Sequence, residues 1–289
     1  MSDATEAEAE RLVGQGIALR EAGDLEGAAM AYRRAIEFAP DWSAPHYNLG
    51  LLYKYQGRWP DSLAYNQRAA ELAPDDQASW WNLGIAATAL GNWAEARRAW
   101  AACGMEPPPG DGPPEYRFGK TPIRLDPDGD AEVVWATRLD PARARILSVP
   151  LPISSRNYGD VVLHDGAPNG YRVVHDKQYP VFDALMVLEP SPFRKYVIEL
   201  ATADSSCIDA LIDVAGELGG AVEDWGRSTN ILCAECSRGI PHHHDDAPGT
   251  PAHPHCGLAA TNDTHAERII REWLERKPGA DLVRWYDAA

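Results

Sequence analysis

The sequence predicts a multidomain chain of two architectures: an all-α repeat array first, then an α+β region. Three observations carry this. Self-similarity with a period of 34 residues runs through the first third of the 289-residue chain. A Pro- and Gly-rich run, Glu106 to Pro114, then interrupts the helical pattern. Beyond it come short runs of β-branched and aromatic residues, followed by alternating strand and helix patterns. With 45% hydrophobic and 24% charged residues the composition is that of ordinary globular protein, and the length suits about two domains at ~150 residues each.

Placing Ala9–Trp42, Ser43–Asp76 and Gln77–Gly110 in register superposes Gly16, Gly50 and Gly84, then Gly23, Gly57 and Gly91. Ala28, Ser62 and Ala96 fall together, as do Ala35, Ala69 and Cys103, and Pro40, Pro74 and Pro108. Small residues at these places let two helices approach closely, and proline ends the second helix of each pair. The second copy shows His46, Leu49-Gly50, Tyr53, Gly57, Ser62, Ala69 and Pro74; the third shows Trp80, Leu83-Gly84, Gly91, Ala96, Trp100 and Pro108. This pattern resembles the tetratricopeptide repeat over residues 9–108, with Asn66 standing where an aromatic is usual.

The resemblance implies that the first helix of each pair presents a groove to a protein or peptide partner. Its lining would be Val13, Ile17, Tyr47, Leu51, Trp81 and Ile85, flanked by Asn48 and Asn82, with Arg20, Lys54 and Tyr55 one turn further on. Tyr47 and Trp81 equally fit a role in packing between repeats. One branch of the family clamps the terminal carboxylate of chaperone tails. Its positions correspond here to Val13, Ile17, Asn48, Ala78 and Asn82, and only Asn48 keeps the branch's residue type. The groove therefore reads as apolar and aromatic rather than as a carboxylate clamp.

An array needs its terminal apolar face covered. After repeat three the expected linker, 109–130, cannot supply a solvating helix, so either the downstream region folds back or two chains meet there as a homodimer. From 131 to 190 the runs Glu132–Ala136, Ala144–Val149, Asp160–Leu163, Tyr171–Val174 and Val181–Leu188 predict a small β-barrel or rolled sheet, with a hairpin turn at Gly166–Gly170. From 191 to 289 the order is strand Val197–Ala201, helix Cys207–Leu218 capped by Asp204 or Ser205, strand Thr229–Leu232, strand Gly257–Ala260, helix Thr264–Arg276 and strand Asp281–Trp285. That is the βαββαβ order of the ferredoxin-like fold.

The Cys/His-rich loop 233–256 holds the most chemistry. Cys233, Cys236, His253 and Cys256 follow C-x2-C-x16-H-x2-C, a spacing close to that of closed, structural zinc sites. Two cysteines three apart converge only in a tight turn, which Ser237-Arg238-Gly239 permits. The same cysteines also fit a plain reading as small core side chains. His242, His243, His244, Asp245, Asp246 and His255 are alternative ligands, and an open site among them would suit a metal-dependent enzyme. No phosphate-cradling glycine loop, nucleophile elbow or His-Glu-x-x-His is present.

The formal charge of −16 repels nucleic acid and acidic lipid surfaces, and no apolar run approaches the ~20 residues of a membrane span. The start, Met1 to Glu6, lacks a basic segment followed by an apolar core. The sequence thus predicts a cytoplasmic interaction protein whose repeats hold a partner, with a metal-dependent enzyme as the rival class.

Overall fold

The computed structural model describes residues 3–127, 132–174, 177–201, 205–228 and 255–288. The chain forms two compact units, Met1–Tyr116 with Asp140–Ala142, and Arg117–Leu139 with Arg143–Ala289.

The first unit contains six helices: α1 (Asp3–Glu21), α2 (Leu25–Phe38), α3 (Ser43–Tyr55), α4 (Trp59–Leu72), α5 (Gln77–Ala89) and α6 (Trp93–Ala102). Each pair is joined by a glycine with positive φ, Gly23, Gly57 or Gly91, a backbone state that side chains disfavour. Asp24, Asp76 and Asn92 cap the helices that follow them through side-chain oxygens. The repeat signature has a direct steric cause. A Cβ on Gly16 would strike the Tyr32 ring, one on Gly50 would lie 2.5 Å from Asn66, and one on Gly84 2.5 Å from Trp100. Asn66 thus fills the aromatic place of repeat two and is fully buried, donating to Ser62 O at 2.8 Å. Repeats are also stitched end to end. His46 Nε2 lies 3.1 Å from Pro40 O, and 34 positions on, Trp80 Nε1 donates to Pro74 O at 2.8 Å.

The expected linker 109–130 is corrected. Arg97 of α6 donates to Pro108 O at 2.5 Å and to Gly112 O at 2.9 Å, and Tyr116 Oη donates to Met105 O at 3.1 Å. The proline-rich run lies back along α6, because carbonyls without helical partners are good acceptors for a guanidinium. Further on, Lys120–Leu125 is a strand, β1, inside the span read as linker.

The second unit opens with β1, β2 (Glu132–Arg138), β3 (Arg143–Ile146), β4 (Val161–Val174) and β5 (Lys177–Glu189). Neighbours are antiparallel, and β1 also pairs with β5 in parallel, so the ladder closes into a barrel. Ile123, Leu125, Val134, Ala136, Ile146, Val162 and Phe182 fill it. The hairpin expected at Gly166–Gly170 is corrected as well: this stretch runs on within β4, which pairs with β5 out to Val174 and Lys177. Register shifts around Pro168 absorb the irregularity. Buried Arg124 holds it in place, bonding Asn169 O at 2.7 Å and Asp183 at 2.5 Å, while Asn169 donates to Asp183 at 2.8 Å.

Then follow β6 (Arg194–Leu200), α7 (Ser205–Glu217), β7 (Ala221–Asp224), the short α8 (Trp225–Ser228), β8 (His255–Ala260), α9 (Asp263–Arg276) and β9 (Leu282–Asp287). They form a four-stranded antiparallel sheet in the order β7-β8-β6-β9. The strand expected at Thr229–Leu232 lies outside the described residues, and Ala221–Asp224 takes the second strand's place. One face carries Tyr196, Ile198, Cys256 and Leu258 against Leu211, Ile269 and Trp273 of the helices. The other face, with Val197 and Ala259, is covered by Val149, Leu151 and Tyr158 from the segment after β3, with Trp225. Trp225 Nε1 donates to Val149 O at 2.8 Å. The strand expected to reach Val149 ends at Ile146, where Leu147 N and Ser148 N both turn to the single carbonyl of Trp135.

Candidate interaction groove

The sequence placed eleven groove residues on the first helices of the repeats, and the structure separates them. Ile17, Arg20, Tyr47, Asn48, Leu51 and Trp81 are half-buried, and Tyr55 is 63% exposed. Val13, Lys54, Asn82 and Ile85 are buried, so they are corrected from surface lining to packing positions. Lys54 Nζ donates to Asn82 Oδ1 at 3.0 Å, consuming a cation and an amide counted for the groove. It also sits 4.5 Å from the Tyr55 ring centroid.

Asn48 donates to Ala44 O at 2.9 Å, a bond back along its own helix. Trp81 meets Trp100 edge-on with centroids 5.4 Å apart, and the indole N–H groups of both are buried without an acceptor in the described structure. Of the eleven candidates, Ile17, Tyr47, Leu51, Tyr55 and Trp81 stay accessible as apolar or aromatic side chains, with Arg20 and Asn48 beside them. α5 has no polar side, since Trp80 and Asn82 through Thr88 are all buried. Its sequence, nearly without charge, reports that in advance.

Of the zinc ligands expected from spacing, Cys233, Cys236 and His253 lie outside the described residues, as do His242, His243, His244, Asp245 and Asp246. Cys256 is fully buried in the core between sheet and helices, and burial pushes its thiol up to about 12. His255 is half-buried on the opposite side of the strand, paired across from Glu199. Among the described residues no three His, Cys, Asp or Glu side chains come together as a metal-binding group.

Sequence reading passed over the buried titratable groups of the second unit. Glu132 accepts from Leu151 N at 3.0 Å, and burial raises its carboxyl from 4.5 to about 7. Lys195 holds the same segment from the sheet, donating to Leu151 O at 2.7 Å and Ser154 O at 2.9 Å, and burial lowers its ammonium. His164 is wholly buried against Phe182, with Nδ1 2.8 Å from Asp165 O, and burial takes it down to about 3. A charged or imidazole side chain at an inward strand position was the available signal.

Models of the tetratricopeptide repeat match two overlapping stretches, residues 16–57 and residues 47–103. The N-terminal segment of this chain is a tetratricopeptide-repeat segment. No curated protein matches the chain. Solved structures similar to it include the second TPR of Spaghetti (RPAP3) bound to the HSP90 peptide SRMEEVD, at 19% identity and a TM-score of 0.34, covering 36% of this chain and 100% of that one. The TPR2B-domain:pHsp70 complex of yeast Sti1 is similar at 22% identity and a TM-score of 0.32, over 33% and 77%. An O-GlcNAc transferase mutant from Thermobaculum terrenum is similar at 24% and 0.33, over 35% and 20%. Among the described residues no helix is long and apolar enough to cross a membrane.

Proposed function

We propose that the repeat segment is a docking platform for a protein or peptide partner. The carrying observation is the half-exposed stripe of Ile17, Tyr47, Leu51 and Trp81 on the first helices of successive repeats. Such aromatic and aliphatic anchors bind by desolvation, and Arg20 beside them supplies one polar contact. With carboxylate-clamp positions occupied by Val13, Ile17, Ala78 and Asn82, recognition rests on apolar side chains rather than on a chain terminus. Affinity capture on the full chain, read by mass spectrometry, supplies the partner. Calorimetry then tests the groove: Tyr47→Ala with Trp81→Ala should weaken binding by roughly 1 to 3 kcal/mol. An unchanged affinity in a folded double variant overturns the reading.

The second unit is read as a small barrel joined to a ferredoxin-like module that acts as a second binding or regulatory element, in a cytoplasmic protein. Support for the module comes from the strand order and from helices on one face of the sheet. A structural zinc on Cys233, Cys236, His253 and Cys256 is a separate proposal, carried by spacing, and the apolar setting of Cys256 runs against it. Metal analysis of protein purified without chelators decides it. Bound zinc that is lost in Cys236→Ser supports the site, and metal-free protein melting identically with and without zinc ends it.

A further inference from the structure

The four-stranded sheet is covered on both faces, and among the described residues no strand pairs beyond either edge. The β7 edge is four residues long and turns at once into α8. The β9 edge is six residues long, pairs with β6 on one side, and has no strand beyond it among the described residues. Val283 on this edge is 49% exposed, and Tyr286 is 40% exposed. An open strand of this length offers a row of backbone donors and acceptors to another strand.

Beside that edge a groove of about 430 Å³ runs between α9 and β9. Its floor is apolar: Ile270, Leu274, Leu282 and Trp285. Its rim is a stripe of exposed charges one turn apart, Glu267, Arg271 and Glu275. Arg276 pairs with Glu217 and Glu272, whereas Arg271 forms no ion pair among the described residues.

We propose that β9 is a dimer edge, where two copies of this chain join β9 to β9 and lay α9 beside α9. A two-fold axis through a shared sheet edge makes the two strands antiparallel, which the ladder of β9 can satisfy with itself. The same axis runs the two helices antiparallel. A stripe of negative, positive and negative charge facing its own reversed copy, one turn out of step, sets each Arg271 against a carboxylate of the other copy. The stripe is therefore complementary to itself, and this selects a second copy over an unrelated strand. The apolar floor would be covered by the same approach.

Sedimentation velocity of the full chain over a concentration series tests this, with amide exchange of residues 282–287 read alongside. The expected result is a monomer–dimer equilibrium in which the β9 amides become protected as dimer forms. Arg271→Glu should weaken the dimer about tenfold, because two cross-copy attractions become repulsions. The full reversal Glu267→Arg, Arg271→Glu, Glu275→Arg should restore it, since the inverted stripe is again self-complementary. Val283→Lys, at an exposed position that leaves the core untouched, should abolish it. A chain monomeric throughout, a triple variant that stays weak, or a dimer indifferent to Arg271→Glu and Val283→Lys overturns the proposal; the last result would place the contact elsewhere, as at repeat three.

Discussion

The repeat array and the barrel-and-sheet unit are held together over different distances along the chain. In the array the decisive contacts are close in sequence: Trp80 bonds Pro74 O six residues back, and Ser62 bonds Gly50 O twelve back. In the second unit Arg124 meets Asp183 at a separation of 59, Trp225 meets Val149 at 76, and Glu199 meets Arg284 at 85. The difference extends to what is buried. The polar groups sealed in the array are mainly neutral amides and hydroxyls, three of them, Ser62, Asn66 and Thr88, bonded to nearby carbonyls, with Lys54 and His46 the ionisable exceptions; the second unit buries Arg124, Glu132, His164 and Lys195. Long-range closure brings titratable side chains inside, and so the two units should answer differently to pH.

The largest effect expected from this contrast is at His164. Its folded value, about 3, lies below its ordinary 6.5, so the neutral ring is favoured on folding. Stability of the second unit is then lost as pH falls from 6.5 towards 3, by on the order of 5 kcal/mol. Denaturant titrations at stepped pH, following the second unit's transition, should show a slope in this window that His164→Phe removes. An unchanged slope would locate the acid sensitivity elsewhere.

Next in size is a steric break in the array. Gly84→Val should cost about 3 kcal/mol, since Trp100 is fully buried and cannot withdraw, whereas Gly14→Ala, with open space around it, should change little. Thermal melts of the two variants check whether close approach, rather than helix propensity, explains the period-34 glycines.

Glu132 gives the opposite pH slope to His164. Its carboxyl is raised, so its contribution is complete below 4.5 and is lost as pH climbs through about 7, costing about 2 to 3 kcal/mol. Glu132→Gln should flatten that limb in the same denaturant titrations while leaving the acid limb alone. Smallest is Arg97→Ala, expected to lower the array's stability by about 1 kcal/mol through loss of its bonds to Pro108 and Gly112. Proteolysis after residue 103 should rise in that variant.

The same contrast explains what could be read from residues alone. All three repeats, their turn glycines and the closing prolines Pro40 and Pro74 were legible, because each is a local steric requirement repeated at a 34-residue period; in repeat three α6 already stops at Ala102, well before Pro108. The β6, α7, β8, α9 and β9 elements were legible from alternation and helical period, within a few residues at their ends. β1 was not, since Pro122 and Arg124 look like linker until Asp183 and Asn169 arrive from far along the chain. Register alone set Ile17, Tyr47, Leu51 and Trp81 on the first helices of the repeats, where they are half-buried. The withdrawal of Lys54 and Asn82 was not legible, because their mutual bond joins two repeats and leaves no mark in either.

The proline-rich run drawn onto α6 by Arg97 also bears on how this array could change over time. Repeat arrays lengthen by duplicating a unit, and a new unit must dock on the exposed flank of the last helix pair. Here the chain after α6 already lies along that helix, with Pro114 buried. Growth at this end is blocked by the protein's own backbone. A fourth repeat inserted upstream of α5 would leave the terminal pair and its strap unchanged.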